Sequence, residues 1–441
     1  MLTVLGKRQE RFCDGVPRRS FLSAGFLGLG GLSLADVLRL RTKAEQHQQP
    51  SRKTSVIFIE LAGGPSQFET YDPKPAAPVE FRGPFSSIDT NAPGTQFCEL
   101  LPAQSAILDK LTIIRSIRHS KNSHDPSSHL SQTGYYKSGP KGGPNQMPCF
   151  GSVIAKVRGP NEHALPAYVA VPTVMRNGGA SHLGKCYNAF QTFGDPNKPD
   201  FEVKNLTLTK GLNAARLDDR KSLLSSLDTQ RRLLDLEGSI AALDEFKQQA
   251  FDLVSGSRAR EAFNIRSESD SCRDQYGRNT VGQSLLLARR LVESGVTCVT
   301  ARVTGWDDHT KLPKRIRPRA ASYDQGVTAL INDLHERGMN DDVLVVAMGE
   351  FGRTPRFNRN AGRDHWGSVM SVLLAGGSLK PGVCGSSNSK GEVPVDMPYR
   401  PENVLAMLYR HLGIDPEMTF DDFAGRPRYI LEEHRLIDEV I

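Results

Sequence analysis

Four stretches of this 441-residue chain gather side chains able to do chemistry. Thr304-Gly305-Trp306-Asp307-Asp308-His309, Gly349-Glu350-Phe351-Gly352-Arg353-Thr354 and Gly362-Arg363-Asp364-His365-Trp366 set carboxylates or imidazoles beside glycines. Asp, Glu and His supply the oxygen and nitrogen donors that zinc, manganese or calcium accept. The fourth stretch, 115–135, holds His119, His124 and His129 within eleven residues among many hydroxyls. Such a density suits metal ligation or proton carriage. Taken singly, each cluster is an ordinary hydrogen-bonded turn, and the fourth is a solvated loop whose Ser and Asn cap a helix. Taken together, Asp307, His309, Glu350, Asp364 and His365 make a donor set for a divalent metal, zinc first, with manganese and calcium as alternatives.

The elements around these clusters give them their meaning. Apolar runs over 55–61, 111–114, 167–171, 297–303, 343–348 and 369–374 are rich in β-branched residues. Runs that are apolar on both faces predict buried parallel strands. Helical patterns over 281–293 and 322–337 end at Gly295 and Gly338, residues suited to stopping a helix. Strands alternating with helices predict an α/β chain with a mostly parallel sheet covered on both faces. The clusters after Val303 and Met348 then fall where open α/β sheets place their sites. Residues 212–254 repeat Leu, Ile and Phe at near-helical spacing among charges, predicting a long helical insertion for packing or association. Segments 72–100 and 137–165, rich in Pro, Gly and Asn, predict ordered loops over the sheet.

Charge narrows the partners. The net charge is +7, but residues 1–53 carry ten Lys/Arg against four Asp/Glu, which leaves +1 for residues 54–441. A nearly neutral body offers no footprint for nucleic acid. Within the basic leader, Arg18-Arg19 followed by the weakly apolar, Gly-rich stretch 20–35 resembles a twin-arginine export signal, so the expected address is periplasmic or cell-surface. The stretch is too short for a comfortable membrane span, and no other transmembrane segment stands out. Cys13, Cys98, Cys149, Cys186, Cys272, Cys298 and Cys384 contain no CxxC pair, which excludes a zinc ribbon or a thioredoxin-like motif.

A family resemblance rests on four motifs in order: Ala62-Gly63-Gly64-Pro65-Ser66-Gln67-Phe68-Glu69-Thr70-Tyr71-Asp72-Pro73-Lys74, Gly305-Trp306-Asp307-Asp308-His309, Gly349-Glu350-Phe351-Gly352-Arg353-Thr354-Pro355 and Gly362-Arg363-Asp364-His365-Trp366. Together they resemble the exported family known as DUF1501, grouped with alkaline phosphatases and sulfatases. The resemblance implies a leader over 1–53 and, over 54–437, an alkaline-phosphatase-like α/β/α sandwich with a metal-dependent ester hydrolase site. It matches Glu60 to the metal-binding acid that ends the first strand, with Glu69 and Asp72 following. Asp307 and His309 are similar to an Asp-x-x-x-His ligand pair at shorter spacing, and Glu350 and His365, with Asp364 beside it, match later ligand positions.

The same alignment of motifs puts His124 at the position of the nucleophile, since His124-Asp125-Pro126-Ser127-Ser128 leads to Thr133-Gly134. No cysteine stands there to become formylglycine, and Ser128 replaces the sulfatase arginine, so a formylglycine sulfatase is not expected. Three alternatives remain open: His124 attacks directly, His124 binds metal and an activated water attacks, or the site only binds. Ser123 and Ser127 are neighbouring substitutes. Arg353 or Arg363 is expected to steady the anion. The expected function is hydrolysis of a phosphate or sulfate ester on a small molecule or glycan. The other class is a non-catalytic exported protein that binds an anionic glycan or an envelope partner.

Overall fold

All six apolar runs become strands of one sheet in the computed structural model, which describes residues 53–139, 142–203, 206, 253 and 256–441. The leader over 1–53 and the helical insertion over 212–254 lie outside the described residues, Lys53 and Leu253 excepted. In chain order the strands are β1 (Ser55–Leu61), β2 (Thr112–Ile117), β3 (Tyr168–Val171), β4 (Phe190–Gln191), β5 (Cys298–Val303), β6 (Val343–Met348), β7 (Met370–Gly376) and β8 (Gly382–Cys384). Across the sheet they stand in the order β8-β2-β7-β6-β1-β5-β3-β4. β1 is central and parallel to both neighbours, so that Glu60 lies between Met348 and Arg302.

Of the eight, β7 alone is reversed, antiparallel to both β6 and β2. Met370, which starts β7, pairs with Ile117, which ends β2. The residues leading into β7 therefore share a sheet edge with the residues leaving β2, β5 and β6.

Alternation along the strands feeds two cores. Ile57, Ile59 and Leu61 of β1 join one apolar cluster, while Val56 and Phe58 join the other. The principal helices are α1 (His124–Thr133), α2 (Phe150–Val157), α3 (Thr280–Ser294), α4 (Leu312–Glu336) and α5 (Pro401–His411). Leu285, Ala288, Leu291 and Val292 of α3 recur at helical spacing and pack in the first core beside Tyr323, Val327 and Leu330 of α4. Phe150, Val153 and Ile154 of α2 and Val404, Leu405 and Leu408 of α5 fill the second. Each fully buried leucine here contributes about 1.5–3 kcal/mol. The result is the expected α/β/α sandwich. The Asn279 side chain caps α3 by accepting from the Gly282 amide at 3.0 Å, and Gly295, at φ +114°, ends it.

Several local expectations differ: the segment expected as loop over 72–100 holds a short helix, Val79–Arg82, and a ladder of Ser87–Asp89 with Gln96–Cys98, and α1 occupies part of 115–135. α4 begins at Leu312 rather than 322, because Leu312, Ile316 and Ala320 extend its buried stripe through Pro318, a residue whose missing amide argues against a helix interior. The loop expected over 137–165 contains α2, held by burial of Phe150 and Val153. The six described cysteines are free thiols. Among the described residues, no helix is long and apolar enough to cross a membrane.

Candidate metal centre

Four loops meet at the sheet edge defined by the ends of β1, β5 and β6 and the start of β7. Gly63, just past β1, is in the left-handed region at φ +114°, where a Cβ would lie 2.5 Å from the Asp307 amide nitrogen. Only glycine permits that approach. The Gly63 amide donates to both carboxylate oxygens of Glu350 at 3.1 Å, which fixes that side chain. The loops 349–354 and 362–366 are joined by a short antiparallel ladder that sets His365 opposite Arg353.

Asp307 is the hub. Its Oδ2 lies 3.3 Å from His124 Nε2. Its Oδ1 lies 3.1 Å from His365 Nε2, 3.0 Å from His309 Nε2 and 2.6 Å from Arg353 Nη2. Ligand atoms of His124, Asp307 and His365 all lie within 4.8 Å of one another, so these three are able to hold a metal ion. His309 Nε2 stands 2.9 Å from His365 Nε2.

The outer nitrogens explain the inner ones. His124 Nδ1 meets Glu350 Oε1 at 2.6 Å, His309 Nδ1 meets Asp364 Oδ1 at 2.6 Å, and His365 Nδ1 meets the Asn122 carbonyl at 3.1 Å. Carboxylate and carbonyl oxygens only accept, so each Nδ1 carries the proton and donates. In the neutral ring, each Nε2 then presents a lone pair toward the Asp307 carboxylate. Three imidazole lone pairs converging on a carboxylate repel one another until a proton or a metal cation lies among them, and Nδ1–H groups tied to outer acceptors are the usual support of metal-bound histidines. The donor chemistry, nitrogen with one carboxylate, fits zinc.

Electrostatics separate the two rings, favouring the protonated form of His124 and the neutral form of His365. Hydrogen bonding to Glu350 outweighs burial at His124 and raises its pKa. Burial, reinforced by Arg353, lowers that of His365 despite its bond to Asp307. Burial pushes the Asp307 carboxyl up, but its contacts with Arg353 and His365 and the charges of Arg353 and His124 hold it well below the usual carboxylate range. The His365 ring stacks on Phe351 at 4.3 Å, which shields one of its faces.

The other expected residues have different places. Arg353 has no exposed surface; Nε donates to the Gly64 carbonyl at 2.8 Å, Nη1 to the Arg363 carbonyl at 3.0 Å, and Nη2 to Trp306, Gly63 and Asp307. In this geometry its donors are taken by loop carbonyls and the Asp307 carboxylate, and it positions Asp307. Arg363 is equally buried, paired with Glu69 at 2.9 Å and held between the Phe68 and Phe357 rings. Asp72 is used by Lys74 at 2.9 Å and by the Ser387 hydroxyl at 2.5 Å. Glu60 stands beside the cluster with Arg302 at 3.1 Å, and burial pushes its pKa up to about 8. Asp308 turns away to Arg319 at 2.6 Å.

Of the three histidines in 115–135, only His124 reaches the cluster. His119 contacts it from outside, its Nε2 at 2.8 Å from the Glu350 carbonyl. His129 is fully buried against the Tyr135 carbonyl at 2.7 Å. Ser127 is buried as well, its hydroxyl donating to the Lys121 carbonyl at 3.2 Å, and the Ser123 side chain makes no capping bond at the start of α1. Two contributors carry no site role in the sequence: Gly63, through its amide, and Asn122, whose carbonyl holds His365 and whose Oδ1 accepts from the Gly367 amide at 2.6 Å. Both act through backbone placement, for which residue type gives little signal.

A family profile described as "Protein of unknown function (DUF1501)" matches residues 53–441. No curated protein matches the sequence. Among solved structures, the chain is similar to Ps i-CgsB at 11% identity and TM-score 0.41, covering 82% of this chain and 72% of that one. It is similar to the PsFucS1 sulfatase from Pseudoalteromonas sp. at 11% identity and TM-score 0.36, covering 85% and 70%. It is also similar to the alkaline phosphatase of the Antarctic bacterium TAB5 at 8% identity and TM-score 0.38, covering 82% and 99%.

Proposed function

We propose, from the premise that this chain belongs to the DUF1501 family, that it is an exported metal-dependent hydrolase of phosphate or sulfate esters, not of the formylglycine type. The observation that carries the reading is the convergence of His124, His309 and His365 on Asp307, each ring anchored through its Nδ1. His124, Asp307, His309 and His365 would hold a divalent cation, zinc in the first instance. Bound there, the cation would supply Lewis-acid polarisation of the ester oxygens.

The chain's own residues do the rest. Glu350 and Asp364 orient the rings of His124 and His309 as supports behind the donors. Arg353 holds the Asp307 carboxylate ionised and aimed. Both nitrogens of His124 face carboxylates, so it serves as a ligand rather than as the attacking group. The twin-arginine leader delivers the folded protein to the periplasm or cell surface.

Elemental analysis of the purified full chain, beside an Asp307→Ala, His365→Ala variant, tests the metal. Stoichiometric metal in the wild type and its loss in the variant are expected, together with metal-dependent hydrolysis of an aryl phosphate or aryl sulfate. Absence of metal after reconstitution overturns the proposal. Metal without hydrolysis of any ester overturns the enzyme and leaves a metal-bearing binding protein.

A further inference from the structure

The loop that delivers His124 to α1 also lines a second cavity of about 500 Å3, bounded by Arg118, His119, Ser120, Tyr136, Pro398 and Arg400. Arg118 is exposed, and among the described residues its guanidinium meets no carboxylate. Arg400 pairs with Glu402 at 2.5 Å and lies 5.5 Å from the centre of the Tyr136 ring. Lys121 lies 5.5 Å from the same ring centre. Lys121 and Arg400 thus flank one aromatic ring whose cavity Arg118 also lines, with Glu402 paired to Arg400. The Tyr136 hydroxyl lies 3.4 Å from Ser120 Oγ, so the cavity adds neutral hydroxyls to its charges.

Cations beside hydroxyls suit an anionic group carried on a hydroxyl-bearing scaffold. The volume exceeds the needs of a lone phosphate. A long nucleic acid would demand a wider basic face. The cavity is also near the metal centre. Ser120 and His124 are four residues apart, a span of at most about 14 Å for extended chain, so one ligand chain is able to occupy both places. His119 is the shared wall, lining the cavity while its Nε2 contacts the Glu350 carbonyl at 2.8 Å.

We propose that this cavity is an anion subsite, with Arg118 and Arg400 holding a sulfate or carboxylate of an acidic oligosaccharide whose neighbouring ester lies at the metal centre. The proposal rests on the ester-hydrolase reading of that centre and adds the substrate class: a multiply charged glycan rather than a small monoester.

The test measures binding of a fluorescent heparin-type hexasaccharide to the full-length protein by anisotropy, with an oligodeoxynucleotide of equal charge as the second probe. Wild type binds the hexasaccharide, and affinity falls as salt rises. Arg118→Ala weakens binding by roughly fivefold, and Arg118→Glu weakens it further, with the melting temperature unchanged because Arg118 is exposed and unpaired. His365→Ala loses metal yet keeps Arg118-dependent binding of the hexasaccharide. Unchanged affinity in Arg118→Glu overturns the subsite, as does tighter, Arg118-dependent binding of the oligonucleotide. Metal-free wild type with Arg118-dependent hexasaccharide binding overturns the hydrolase reading and leaves the anion site standing.

Discussion

His309 and His365 face each other Nε2 to Nε2 at 2.9 Å, both beside Asp307 Oδ1. With their Nδ1 protons committed to Asp364 and Asn122, two lone pairs are pressed together in the neutral rings. Zinc is therefore expected to raise the thermal stability of chelator-treated protein, by about 2.7 kcal/mol at a hundredfold excess over Kd. His365→Ala abolishes the shift. Melting curves with and without zinc check this, and an identical shift in the variant would place the metal elsewhere.

Asp364 is the support of His309 rather than a donor at the hub. Asp364→Asn weakens the orientation of the ring, and metal affinity is expected to fall about 10- to 100-fold. The metal-free protein should lose little stability, since Asp364 is half-exposed. Competition against a chromophoric chelator reads the affinity, and urea titration reads the stability.

Arg353 carries the larger structural consequence. Arg353→Met removes the donors of the Gly63, Gly64, Trp306 and Arg363 carbonyls and leaves Asp307 without its buried cation. A loss of about 3–5 kcal/mol in unfolding free energy is expected. Arg353→Lys restores the charge but not the fork, and recovers only part of the loss. Denaturant titration of both variants separates these contributions.

A pH effect is expected far from the metal. Burial pushes the Asp324 pKa up to about 6, although its oxygens accept from the Ala103 and Gln104 amides at 2.8 Å each. In the unfolded chain the same group titrates near 3.9, an ordinary value of about that size. Between these values the folded state holds more protons, so this group's contribution to stability falls as pH rises. The total is on the order of 2–3 kcal/mol. Above pH ~6 both states are ionised and the contribution is flat. The stability of wild type relative to Asp324→Asn should therefore decline from pH ~4 to ~6. A difference independent of pH would sink the assignment.

Six of the eight strands were legible because they are continuous apolar runs, whereas Phe190–Gln191 and Gly382–Cys384 are too short to stand out, and the Asp307 and Glu350 loops were legible because they follow strands. The Asp364 and His365 loop was grouped with them, but the reason it belongs at that edge was not legible, since a buried antiparallel strand has the same apolar pattern as a parallel one. Only the reversed pairing of β7 with β6 and β2 brings a loop that precedes a strand to that edge. By spacing alone His124 and His129 were equivalent in a loop, and only the family resemblance singled out His124. On the helix that forms there, five residues turn the second ring by about 140° relative to the first, so His129 enters the core. Arg353 read as an anion binder because its type suits anions. Its partners are carbonyls of distant loops, which no local pattern encodes.

The ladder-edge origin of the centre also bears on when it exists. Asn122 and His365, which support one another, are 243 residues apart, and no single segment supplies three of the donors to Asp307. Contacts so distant in sequence form late and slowly. An unfolded chain therefore has no preformed cation site, and the metal grips only a closed sheet. In stopped-flow chevrons, zinc is expected to leave the refolding arm in place and to lower the unfolding arm, the signature of an interaction absent from the folding transition state.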